Sequence, residues 1–323
     1  MKKQIIAAAV AATVSSVALA DIAITGDAKV NYTYTDKEGT TPDTNVFKQE
    51  MSLKVVGKNG DTQVVMGFGG GGLDNTAGVN TSGTAAMNAE DVYMTTKVGD
   101  VSIKAGTWDN GNNSLRASAR LKGKFTASTT VGGLDLTYNA ADDAAAESVK
   151  VGGTFGPVKA SFEQGYSTDT TSVSASMNGV NVSFLGYDVD GANENREYYE
   201  ISGEIAGIGV KYGVANADSS ASIEGDSWMG DFEAASGAYD LDDGNDVTAI
   251  ELKTSLAGNA VTYRNVQVDD DDASVNKDVS INKIIVTRPL ASGATFEFTY
   301  TDTDSDVATE DTTGFDLELA VKF

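Results

Sequence analysis

Five residues invite a chemical reading first: Trp108, Arg116, Arg120, Lys122 and Lys124. No acidic residue stands between Asp109 and Asp135, and the whole sequence holds only five arginines. At a narrow passage, clustered Arg and Lys attract anions and repel cations. The chemistry this cluster supports is therefore electrostatic selection, with Trp108 at its entrance. For making and breaking bonds the usual groups are missing. The chain has no histidine, the commonest general base and zinc ligand. It has no cysteine, so thiolate nucleophiles, disulfides and thiolate metal sites are excluded. Ser-His-Asp and Cys-His mechanisms fall with them. No Lys, Ser, Tyr or carboxylate constellation stands out for acid–base work. The reading is of a chain that is not an enzyme and takes no cofactor and no metal.

The cations are exceptional within an acidic chain. Its formal net charge is −24 at pH 7, which excludes nucleic acid as a partner, because phosphate binding needs basic surface. Acidic residues crowd three segments: Asp240, Asp242, Asp243 and Asp246; the run 269–272; and Asp302, Asp304, Asp306, Glu310 and Asp311. These lack the fixed glycine and terminal glutamate of an EF-hand loop. They are expected at a solvated mouth, where they would concentrate cations and oppose the basic cluster. The run Gly69-Gly70-Gly71-Gly72 has no following Lys-Ser/Thr and no helix, so it is not a phosphate loop.

The elements that must position the basic cluster are strands. Ile22, Ile24, Ala28, Val30, Tyr32 and Tyr34 share one parity; Thr25, Asp27, Lys29, Asn31, Thr33 and Thr35 share the other. Successive strand side chains point to opposite faces, so one face is apolar and one charged. The final segment repeats this, with Phe315, Leu317, Leu319, Val321 and Phe323 alternating with Asp316, Glu318, Ala320 and Lys322. No helical period of useful length competes. Tight connections such as Gly99-Asp100, Gly132-Gly133, Asn178-Gly179 and Ala206-Gly207 join the strands. Longer ones alternate with them, at about 36–46, 69–89, 109–123, 141–147, 167–171, 188–196, 215–246, 269–277 and 301–313. Nine long loops and eight short turns predict 18 strands, with 16 as the alternative.

Residues 1–20 read as a cleaved signal peptide. Met1-Lys2-Lys3 is the positive region, Ile5 to Ala12 the apolar one, and Ala18 and Ala20 place the cleavage site before Asp21. The remaining domain is 21–323. An exported chain of alternating strands can bury its apolar face inside a soluble sandwich or turn it outward to lipid. Lys48, Glu50, Lys54, Lys104, Lys150, Lys159, Glu163, Lys211, Lys253 and Glu297 all fall on the polar parity. A dry core could not hold so many charges, whereas a wide wet lumen can. The expected fold is all-β: a transmembrane antiparallel up-and-down β-barrel of 16–18 strands, with short periplasmic turns and long extracellular loops.

The segment Gly314–Phe323, with its terminal aromatic and apolar residues at every second position, resembles the C-terminal strand of outer-membrane proteins. The first strand, Ile24-Thr25-Gly26-Asp27-Ala28-Lys29-Val30, and the hairpin from Val92 to Gly106 share the outline of the Gram-negative porin family. General porins have 16 strands, which departs from the count of 18. The resemblance implies an outer-membrane pore for passive diffusion of ions and small hydrophilic solutes, narrowed by its third loop, 109–123. It implies Arg116, Arg120, Lys122, Lys124 and Trp108 at the constriction, contacts with outer-membrane lipid and lipopolysaccharide, and a homotrimer. It implies too that Phe315, Leu317, Leu319, Val321 and Phe323 are the signal read by the barrel-assembly machinery. A secreted or surface-layer adhesin and a substrate-specific outer-membrane channel stay open as alternatives.

Overall fold

The period-two segments are strands in the computed structural model, which describes residues 21–37, 43–71, 87–109, 115, 120–142, 147–189, 195–218, 228, 245–270, 278–306 and 311–323. Among the described residues there are eighteen strands. They are β1 (Asp21–Lys37), β2 (Thr44–Asn59), β3 (Thr62–Gly71), β4 (Asn88–Val98), β5 (Val101–Asp109), β6 (Arg120–Val131), β7 (Leu134–Ala140), β8 (Ser148–Phe155) and β9 (Val158–Gly165). The series continues with β10 (Thr168–Met177), β11 (Val180–Val189), β12 (Arg196–Ile205), β13 (Ile208–Ala217), β14 (Asn245–Leu256), β15 (Asn259–Asp270), β16 (Val279–Pro289), β17 (Ala294–Ser305) and β18 (Thr312–Lys322). Each pairs antiparallel with the next, and β18 returns to β1 in register from Asp27↔Lys322 to Lys37↔Thr312. The sheet therefore closes into a barrel, and closure satisfies the edge groups that an open sheet would leave bare. The count of eighteen matches the alternation of loops and turns. A barrel of this size leaves an aqueous channel rather than a packed centre.

Local chemistry explains the tight end. Asn178 and Gly179 both take positive φ, 54° and 80°, the pairing that matches strand twist in a two-residue hairpin. Ala206 and Ala257 occupy the first position of two equivalent turns at φ 52° and 51°, where a Cβ is strained. One connection differs from the sequence reading. The stretch 167–171 is not a long loop: β9 ends at Gly165 and β10 begins at Thr168, which pairs with Val189. Its Thr-Asp-Thr-Thr composition looks like loop, but threonine is a strand former and this stretch extends a strand.

Register sorts the two faces. Lys54 pairs with Gly67, Lys104 with Thr126, Lys150 with Glu163 and Lys211 with Glu251, so the charged parity runs continuously round the lumen. The other parity carries the exposed apolar side chains, among them Ile24, Met94, Val149, Ile201 and Leu319. Aromatics of that parity include Phe125, Tyr138, Phe162, Tyr199 and Tyr212.

At the long-loop ends of β14 to β17 the sense of this alternation reverses. Tyr263, Ile284 and Tyr300 make an outward row across β15, β16 and β17. Beyond it the outward residues are Asn265, Gln267, Ser280 and Asn282, joined by side-chain hydrogen bonds of 2.7–3.1 Å. The inward residues there are Val247, Ala249, Val266, Val268, Val279 and Ile281, all buried. A wall that is polar outside and apolar inside has the polarity of a water-soluble sheet, so these strands run beyond the apolar belt.

Candidate functional site

The lumen is the site that the charged parity builds, and it has two contrasting walls. One is at β4 to β6. The register of β5 against β6 shifts between Gly106 and Trp108, a bulge that re-aims the chain. Gly106 sits at φ 136°, and a Cβ there would lie 2.2 Å from the Val92 carbonyl oxygen and 2.6 Å from the Tyr93 Cα. Only glycine fits this approach. Past the bulge, the buried Trp108 ring has two ammonium groups at its face. Lys104 Nζ is 4.2 Å from its centroid and Lys124 Nζ 4.3 Å, and Lys104 also stands 4.1 Å from the Tyr93 ring. These are cation–π distances. Lys124 Nζ further donates to the Trp108 carbonyl at 3.0 Å. Asp109 N–H donates to Asp91 Oδ1 at 3.3 Å. The start of the third long connection is thus held by hydrogen bonds and ring contacts together.

The other wall is the inward face of β11 to β16. Leu115, from the connection between β5 and β6, is fully buried there, 0% exposed, against Tyr187, Tyr198, Ala215, Val247 and Val266. This wall lies across the barrel from β5 and β6, so Leu115 stands inside the lumen on its far side. Arg196 Nη1 donates to the Leu115 carbonyl at 3.5 Å. Trp228, from the connection between β13 and β14, packs on the same shelf. Its Nε1 donates to Tyr198 Oη at 2.9 Å and Glu200 Oε2 at 3.1 Å, and Tyr198 donates to Glu200 at 2.5 Å. Next along β14 from Ala249 is the inward Glu251, 2% exposed, with Arg264, Lys253 and Lys211 around it. Between the two walls, β7 to β9 carry a hydroxyl and amide surface: Ser148 donates to Glu163 at 2.6 Å and Asn139 to Ser148 at 3.0 Å.

Of the residues singled out in the sequence, Trp108 and Lys124 come together. Lys124 is buried against Trp108 and braces the base of the loop. Arg120 and Lys122 lie on β6, Arg120 opposite Asp109, but their side chains lie outside the described residues, as does Arg116. Ala18 and Ala20 also lie outside them. Phe315, Leu317, Leu319 and Val321 fall on the outward face of β18, and Phe323, just past its end, exchanges both backbone hydrogen bonds with Gly26, at 2.8 and 2.9 Å. Sequence reasoning missed the Glu251 array and the apolar shelf. The signal was phase: Val247 and Ala249 share parity with Glu251 and Lys253, and Val266 and Val268 share it with Arg264.

No family model matches this chain, and no curated protein matches it in sequence. Solved structures do match. The chain is similar to OpdQ of Pseudomonas aeruginosa, with a TM-score of 0.68 at 10% identity over 94% of this chain and 99% of that one. A BenF-like porin from Pseudomonas fluorescens Pf-5 gives 0.68 at 11% identity, over 94% and 98%. OccK2 (OpdF) of Pseudomonas aeruginosa, solved in complex with glucuronate, gives the same values. The outer-membrane protein OprD from Pseudomonas aeruginosa gives 0.63 at 13% identity, over 94% of each chain. At these identities the likeness establishes the fold: the closed barrel of outer-membrane porins.

Proposed function

We propose that the chain forms a water-filled pore in the bacterial outer membrane, through which ions and small hydrophilic solutes diffuse passively. One observation carries this reading: the lumen is lined by partly exposed charges, such as Lys29 with Glu50 at 2.7 Å and Lys150 with Glu163 at 3.6 Å, while the outside is an exposed apolar belt. Charges in such pairs need water, and an exposed apolar belt of this extent needs lipid. The likeness to porin barrels supports the same location. The third connection narrows the pore, with Leu115 inside the lumen and Trp108 at its base; Arg116, Arg120, Lys122 and Lys124 are read as the basic part of that constriction. Diffusion of this kind requires no chemistry on the solute.

The finer parts of the reading follow from it. Residues 1–20 serve as the export leader and are removed before Asp21, which intact mass of the secreted protein checks. The β18 face from Phe315 to Phe323 is read by the barrel-assembly machinery. A homotrimer is supported by the small outward side chains Ala105, Ala127 and Thr129 flanking the exposed Phe125, which leave room for a ring from a neighbouring barrel to pack; chemical cross-linking in detergent tests it. A second reading, a channel favouring small acidic solutes, is supported by Arg264, Lys253 and Lys211 on one lumen wall. The glucuronate complex of the similar OccK2 barrel gives it a precedent.

The pore reading is tested by refolding residues 21–323 in detergent and recording single-channel currents in a planar bilayer. Discrete ohmic steps are expected. Folded, inserted protein that never conducts would overturn the reading.

A further inference from the structure

The ion array around Glu251 is built unlike the other ion pairs described in the lumen. Lys29–Glu50 and Lys150–Glu163 join groups that keep much of their exposure. Glu251 is withdrawn from water and uses both carboxylate oxygens. Oε2 accepts from Arg264 Nη2 at 2.8 Å, and Oε1 lies 2.9 Å from Lys253 Nζ and 3.9 Å from Lys211 Nζ. A carboxylate buried to this degree is stable only with such partners. Among these four side chains three cations meet one anion, a local surplus of positive charge. Lys253, 58% exposed, presents that surplus to the lumen. The array sits beside the shelf that holds Leu115, and Lys211 reaches the Trp228 ring at 4.8 Å. Glu200, on the same wall, is taken up by Tyr198 and Trp228, and Glu204, further along the inward face of β12, stands two strands from Lys253 with Gly209 between them. The surplus therefore stands beside Leu115 and Trp228, the two loop side chains packed inside the lumen, and a fixed charge acts most strongly where the passage is narrow and poorly screened.

We propose that Glu251 is a built-in counter-ion that sets the ion preference of the pore. It holds Lys211, Lys253 and Arg264 as a fixed array and cancels one of their charges. This rests on the pore reading above. The test is the reversal potential in a KCl gradient for wild type, Glu251→Gln, Lys253→Gln, the double variant, and Glu163→Gln as a charge change on the hydroxyl-lined wall. Glu251→Gln is expected to shift the chloride-to-potassium permeability ratio toward chloride by about twofold or more. Lys253→Gln should shift it toward potassium, the double variant should return close to wild type, and Glu163→Gln should move it by less than half as much as Glu251→Gln. Conducting channels whose ratio does not move in Glu251→Gln, or moves equally in Glu163→Gln, overturn the proposal and leave the pore standing. Should Glu251→Gln fail to fold, Lys253→Gln decides: a shift toward potassium supports the array, and no shift overturns it. A wild-type chain that never conducts overturns the pore reading and this proposal with it.

Discussion

Two stretches of the same wall obey one period and opposite rules. In the apolar belt, Tyr199, Ile201 and Tyr212 face out while Glu200, Ser202 and Lys211 face in. At the loop ends of β14 to β16, Asn265, Gln267 and Asn282 face out while Val247, Val266 and Ile281 face in. The difference teaches that a β-barrel wall takes its polarity from whatever lies on each side. Lipid outside and water inside demand apolar-out. Water outside and packed loop residues inside demand apolar-in. Leu115 and Trp228 are the packed residues that make the second arrangement stable.

The largest expected effect comes from forcing one rule on the other region. Val247 is fully buried on the shelf, and Val247→Asp would leave a carboxylate there without a charge partner. A loss of about 3–5 kcal/mol is expected, read by urea unfolding on a heat-modifiability gel. In the belt, Ile201→Lys should cost about 2–4 kcal/mol, because a lysine would face hydrocarbon. The same change at Gln267, on the outward face of the loop-end region, should cost less than about 0.5 kcal/mol, since that face is wet. Equal costs at Ile201 and Gln267 would erase the distinction between the two stretches.

Leu115→Ala sharpens the comparison from the loop side. It removes the side chain that covers the shelf, at a cost of about 2 kcal/mol. It should also raise single-channel conductance, because the third connection would lose its hold on the far wall. Unchanged conductance would mean that Leu115 does not set the aperture. Gly106→Ala is expected to perturb the same loop from its base, through the Val92 carbonyl. A small effect of opposite sign belongs to the tight end. Ala257→Gly should stabilise the barrel by up to about 1 kcal/mol by relieving a positive φ, measurable as a higher urea midpoint.

Much of the fold was legible because a strand advertises its faces. The Ile22–Tyr34 alternation, the Phe315–Phe323 alternation and the Gly-containing turns are local signals, and counting turns against loops leads to eighteen strands. The 167–171 stretch misled because Thr and Asp are shared by loops and polar strands. The site was less legible for a physical reason. Period-two alternation has the same amplitude whichever face is apolar, so the inversion at Val247 and Val266 is invisible unless phase is carried along from Glu251 and Arg264. Glu251 and Arg264 lie 13 residues apart and meet only because the Ala257–Gly258 turn sets their register. Lys104 and Lys124 meet over Trp108 because a bulge at Gly106 re-aims the strand, which composition does not announce.

The absence of cysteine from the native sequence makes the most direct test simple. Single cysteines placed at the consecutive positions Tyr199, Glu200, Ile201 and Ser202 on β12 can be probed in liposomes with a small, membrane-impermeant thiol reagent. Glu200→Cys and Ser202→Cys should react rapidly through a wet lumen, and Tyr199→Cys and Ile201→Cys should be protected by lipid. Uniform reactivity, or reaction at the opposite parity, would contradict a membrane barrel with its charged face turned to water inside.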